Sequence, residues 1–189
     1  MSATAAEDTH ELRQAEALTL RGLRVVEIAD ETAEYVGLLR AGLGAEVVKV
    51  EPPDGSTTRT IGPFYRDEPH KDRSLYFWQF NRGKRSVRID LTTDEGRDAL
   101  VSLVERADVL LESTPRGTLD ELGLGRAELE SRFPSLVHAR MTPFGDDGPC
   151  AEVKASDLVH LALGGEMLIC CYDQPHEGSE DLPPFPPQM

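Results

Sequence analysis

The chain has 189 residues, of which 39% are hydrophobic and 29% charged, with a net charge of −14 and a pI near 4.7. That length suffices for one domain with its own core, and the composition is ordinary for a soluble globular protein. The acidic balance argues against a general nucleic-acid binder, which needs a positive footprint, and no apolar run is long enough to span a bilayer.

Residues 1–17 are small, polar and acidic. They lack the basic start and apolar stretch of a signal peptide, and they read as a mobile arm. Leu23 to Ile28 reads as a first strand, with Asp30 placed to cap the helix that follows. Tyr35, Leu38 and Leu39 share a face of that helix, and Gly42-Leu-Gly44 ends it. Glu46 to Val50 reads as a second strand. The Pro/Gly-rich residues 52–73 predict a long ordered loop, often a functional sign. Ser86 to Asp90 forms a third strand. Thr92-Thr-Asp-Glu95 then reads as a capping box before the apolar positions of residues 99–104. Ala107 to Leu111 and Leu136 to Met141 complete five strands. Strands alternating with helical patterns imply an α/β fold with a mostly parallel sheet. Residues 176–189 hold four prolines and read as an extended tail.

Several segments carry chemistry. Asp157 starts an apolar helix just after the Gly/Pro-rich loop Phe144 to Pro149. A carboxylate held there by backbone N–H groups can act as a nucleophile toward an activated acyl group, or can simply cap the helix. Arg82, Lys84, Arg85 and Arg88 cluster in an acidic chain, beside the aromatic run Tyr76 to Phe80. Such a cluster binds phosphates or forms a solvated face paired with acids. Glu112 to Gly117 follows the fourth strand, where parallel sheets place ligand loops. Gly42-x-Gly44 lies at a helix end and is no dinucleotide fingerprint, so a nicotinamide or flavin site is not expected. His138 and His160 read as hydrogen-bonded histidines of a strand and a helix. Cys150, Cys170 and Cys171 are odd in number and lack metal-type spacing. Reduced thiols in a cytoplasmic protein without a metal are the expectation.

Eight segments, taken in order, resemble the family III CoA-transferases, the group of formyl-CoA and carnitine CoA-transferases. They are Leu20 to Glu27, Leu43 to Pro53, Ser74 to Phe77 with Asn81 to Ser86, and Asp90-Leu91 with Glu95-Gly96. Ala107 to Val109, Leu122 to Leu124, Phe144 to Pro149, and Ser156-Asp157 with Gly164-Gly165 follow. The resemblance covers about residues 18–175. It implies a Rossmann-like large domain, flanked by helices, from a chain whose C-terminal half is missing here. It also implies an interlocked homodimer, or a complementary C-terminal half.

The resemblance further implies the activity: CoA moves between carboxylic acids through an aspartyl-CoA thioester on Asp157. Coenzyme A is then the acyl carrier and no metal takes part. The implied CoA contacts are Asp30, Glu31 and Thr32, then Ile89, Asp90, Leu91 and Thr92, then Ser113, Thr114 and Arg116. Arg82, Lys84 and Arg85 would receive the phosphates. Two alternatives stay open. One is an α-methylacyl-CoA racemase-like enzyme, which needs His138 or His160 as a second acid–base group. The other is a non-catalytic CoA-binding or assembly subunit.

Overall fold

The computed structural model describes residues 19–165. The expected arm, Cys170, Cys171 and the proline tail lie outside the described residues. The chain divides into two compact units that part between Met141 and Thr142.

The first unit is built on five parallel strands: β1 (Arg24–Ile28), β2 (Glu46–Glu51), β3 (Arg85–Arg88), β4 (Val109–Glu112) and β5 (Val137–Arg140). Their order across the sheet is β3-β2-β1-β4-β5. All pairings are parallel, with Val26 level with Val48 on one side and with Leu110 on the other. The order reverses at β1, so its connection and that of β4 leave side by side at the carboxyl edge. That is where open α/β sheets form ligand crevices.

Helix α1 (Glu34–Gly42) follows β1, and α2 (Leu75–Asn81) precedes β3. Helices α3 (Asp94–Val104), α4 (Thr118–Glu121) and α5 (Arg126–Arg132) come from the later connections. Period-two alternation sends Val26, Ile28, Val50 and Leu110 to one face, where they pack with Leu100, Val104, Leu119 and Leu129. Val25, Val47, Val109 and Leu111 take the other face, with Ala33, Val36 and Ala41. That alternation also sends Glu27, Lys49 and Glu51 to the α1 side, and all three are buried.

Two local expectations are corrected. Asp30 does not cap α1, whose N-cap is Ala33 and has no side-chain cap bond. Asp30 instead closes a turn: its carbonyl accepts the N–H groups of Ala33 and Glu34. The cap of α3 is Thr93 rather than Thr92, its hydroxyl accepting the Gly96 N–H at 3.0 Å. Thr92 is taken by Asp90, to which it gives both its N–H (3.0 Å) and its hydroxyl (2.6 Å).

In the second unit, α6 (Asp157–Leu163) has Ser156 as N-cap, without a side-chain cap bond. No helix among the described residues is long and apolar enough to cross a membrane.

Candidate functional site

Three of the connections that leave the carboxyl edge of the sheet carry the candidate contacts: residues 29–33 after β1, 89–93 after β3, and 113–117 after β4. The first and third are tied together. The Asp30 N–H donates to Ser113 Oγ at 3.0 Å, and the Ser113 hydroxyl donates to Asp30 Oδ1 at 2.6 Å. Asp30 Oδ1 also accepts the Thr32 N–H at 3.0 Å. In the second connection, the Thr92 hydroxyl and N–H hold the Asp90 carboxylate below its usual pKa. Both turns thus present carboxylates fixed by their own backbone. Gly96 lets α3 close on the second turn, since a Cβ there would stand 1.8 Å from the Asp90 carbonyl oxygen.

The candidate contacts differ in what they can offer. Ile89 is buried in the core, so only its backbone can meet a ligand. Leu91 packs against that core. Thr114 donates to Glu112 Oε2 at 3.0 Å. Glu31, Thr32, Thr92 and Arg116 are exposed at the edge. Tyr76 approaches the first turn. Burial, and then the negative charges of Glu34, Glu31 and Asp30, push its phenol up in pKa.

Within the basic cluster expected to receive phosphates, Lys84 is committed elsewhere. The Lys84 side chain is 1% exposed. Its ammonium donates to Glu27 Oε1 (2.8 Å) and Oε2 (2.9 Å), the Glu34 carbonyl (2.8 Å) and Asn81 Oδ1 (3.0 Å). No donor remains for a ligand. Desolvation pulls its pKa down, against the opposing charge of Glu27. Arg85 opens β3 at its amino end and pairs with Glu46 Oε1 at 2.5 Å. Arg82, before it, contacts Gln79 at 3.4 Å. A run that precedes a strand lies at the end opposite the ligand loops. Arg88, the last residue of β3, is the member that reaches the carboxyl edge, and it is exposed.

A buried ionic network lies under the first turn, and sequence reasoning missed it. Lys49 is 1% exposed and donates to the Ala29 carbonyl at 2.6 Å. It pairs with Glu34 Oε1 at 2.7 Å and with Glu27 Oε1 at 3.3 Å. Thr58 donates to Glu34 Oε1 at 2.7 Å, while Glu34 Oε2 has no hydrogen-bond partner. Next to it, Glu51 accepts from Arg59 Nε at 2.6 Å and Nη2 at 2.8 Å, from the Ser56 N–H at 2.8 Å, and from the Ser86 hydroxyl. Burial raises the Glu51 pKa, but these hydrogen bonds outweigh it and hold the group at about 2. The available signal was a lysine inside the Val-Val-Lys-Val strand of a sheet covered on both faces.

Residues 20–185 match the family described as CoA-transferase family III. The chain belongs to that family. It is 40% identical to the succinyl-CoA:(R)-benzylsuccinate CoA-transferase subunit BbsE of Thauera aromatica, over 79% of this chain and 37% of that protein. It is 39% identical to the succinyl-CoA:mesaconate CoA-transferase of Haloarcula hispanica, over 87% of this chain and 41% of that one. Among solved structures, a CAIB/BAIF family protein from Brucella suis superposes with a TM-score of 0.75 at 38% identity, covering 85% of this chain and 42% of that chain. The chain therefore spans about two fifths of the length of these relatives.

Asp157, the expected nucleophile, opens α6 in the second unit. Asp157 is the first residue of α6, not its cap; it is exposed and takes part in no hydrogen bond or ion pair among the described residues. The two histidines of the racemase alternative each have a partner. His138 Nε2 faces buried Glu112 Oε1 at 3.3 Å, which also receives Arg140 Nε at 2.9 Å. His160 Nε2 meets the Pro143 carbonyl at 3.1 Å. No group of three or more His, Cys, Asp or Glu among the described residues could hold a metal.

Proposed function

We propose that this chain supplies the CoA-holding sheet of a transferase that moves CoA between carboxylic acids. One observation carries the reading: the family III sheet brings residues 30–32, 89–92 and 113–116 to one carboxyl edge, with Asp30 and Ser113 locked together. The turns offer backbone N–H groups and exposed threonines to a polar ligand. Arg88, at the end of β3, offers a cation for a phosphate, the role first expected of Arg82, Lys84 and Arg85. The names of the relatives support a thioester of CoA and a free carboxylic acid as the two substrates. Within this reading the aspartyl-CoA thioester forms on Asp157, the first residue of α6, as the family resemblance implies.

Isothermal titration of the 189-residue chain with CoA tests the reading. Binding is expected, and Arg88→Ala weakens it by about 10-fold or more, as loss of a charge-assisted bond does. A chain that binds no CoA, or an Arg88→Ala variant with unchanged affinity and an Arg82→Ala/Arg85→Ala variant with lost affinity, would overturn the site as drawn.

A further inference from the structure

The β1–α1 turn leads into a helix with no capping side chain, and two lysines with buried side chains stand beneath it. Helix α1 starts at Glu34, and its N-cap, Ala33, makes no side-chain cap bond. The turn between Ala29 and Glu34 is closed locally by Asp30, whose carbonyl accepts the Ala33 and Glu34 N–H groups and whose Oδ1 accepts the Thr32 N–H. At one end, the Lys49 ammonium donates to the Ala29 carbonyl at 2.6 Å. At the other, the Lys84 ammonium donates to the Glu34 carbonyl at 2.8 Å. The two cations are 1% exposed and share the Glu27 carboxylate, which is fully buried. Gly37 makes room for them: a Cβ there would stand 1.7 Å from Glu27 Oε2 and 3.0 Å from Lys84 Nζ.

We infer that Lys49 and Lys84 are positioning residues, which bracket the Asp30–Ala33 turn and fix it for CoA. Four buried charges are a poor way to gain stability, because desolvation consumes most of the Coulombic gain. Their geometry explains them better. Glu27 and Glu34 neutralise the two ammonium groups, and each ammonium spends one proton on a carbonyl at one end of the turn. The third tie, Ser113, holds the middle through Asp30. The turn thus needs no capping side chain, and Asp30, Glu31 and Thr32 keep their outward atoms for a ligand. The link to CoA rests on the proposed function. The bracketing itself does not.

Single lysine variants leave a lone buried carboxylate and risk unfolding. Two charge-balanced pairs avoid this: Lys84→Met with Glu27→Gln, and Lys49→Met with Glu34→Gln. Both are expected to fold, since each removes one cation and one anion together and leaves no uncompensated buried charge. Amide hydrogen exchange of the free chain is expected to quicken at least 10-fold at Asp30 to Glu34, with Val47 to Val50 unchanged. CoA affinity falls at least 10-fold in the same variants. Unchanged exchange in the turn, or a rise shared equally by β2, overturns the positioning role. Faster exchange in the turn with wild-type CoA affinity overturns the assignment to the ligand. If the wild-type chain binds no CoA, the function reading fails by itself, and the exchange comparison still decides whether the lysines hold the turn.

Discussion

Gly37 shows how one missing side chain permits a buried charge pair. Its Cα lies over Glu27 and Lys84, and any Cβ meets the carboxylate inside van der Waals range. Gly37→Ala is therefore expected to destabilise the fold by about 1–3 kcal/mol despite the better helix propensity of alanine. Urea unfolding measures this, and a stabilised variant would show that the pair yields freely. Glu51 gives a second test. Its carboxyl titrates at about 2 when folded, against 4.5 for the free group. A depressed acid contributes stability that is complete above the unfolded value and is lost as pH falls through the folded one. The melting temperature is expected to fall between pH 4.5 and about 2, and Glu51→Gln should flatten that decline. An unchanged acid slope in the variant would assign the loss to other carboxylates.

At the scale of elements, the link between β1 and β4 ends at Ser113. Ser113→Ala removes a donor and an acceptor from Asp30 and is expected to cost about 0.5–1.5 kcal/mol. Denaturant unfolding reads the cost, and a variant as stable as wild type would mean that water replaces the hydroxyl without loss. All five strands were legible, because short runs of Val, Ile and Leu alternate with helical patterns and turn residues. Their ends were less so. β3 stops at Arg88, two residues earlier than Asp90, because the Asp90 carbonyl accepts the Thr93 N–H in a turn instead of continuing the ladder. Helices α4 and α5 were not anticipated. They are short and mostly polar, and each is anchored by one buried leucine, Leu119 or Leu129. The turns of the candidate site could be placed from strand ends. The lysine bracket could not, because its partners are distant in sequence, with Lys84 reaching Glu27 across 57 residues. Local patterns carry no record of such pairs.

For the molecule as a whole, charge opposes the proposed ligand. A chain of net charge −14 repels an anionic nucleotide at long range, while contacts at Arg88 attract it at short range. Added salt screens the first effect over roughly 10 Å at about 0.1 M, and affects close contacts less. The association rate of CoA is therefore expected to rise between low and physiological ionic strength, as stopped-flow mixing can measure. A rate that falls steeply with salt would reveal a local positive field that outweighs the net charge. The strand order has a consequence of another kind, in time. β1 is a central strand, and its second neighbour, β4, lies some 84 residues further on, as the bond from Arg24 to Asp108 records. At roughly 5–20 residues per second, a ribosome needs on the order of 4–17 seconds to deliver that neighbour. Through that interval a nascent chain carries a Val-Val-Glu-Ile strand with one edge open. Its buried glutamate, waiting for lysines that arrive later, keeps that edge from pairing with a stranger.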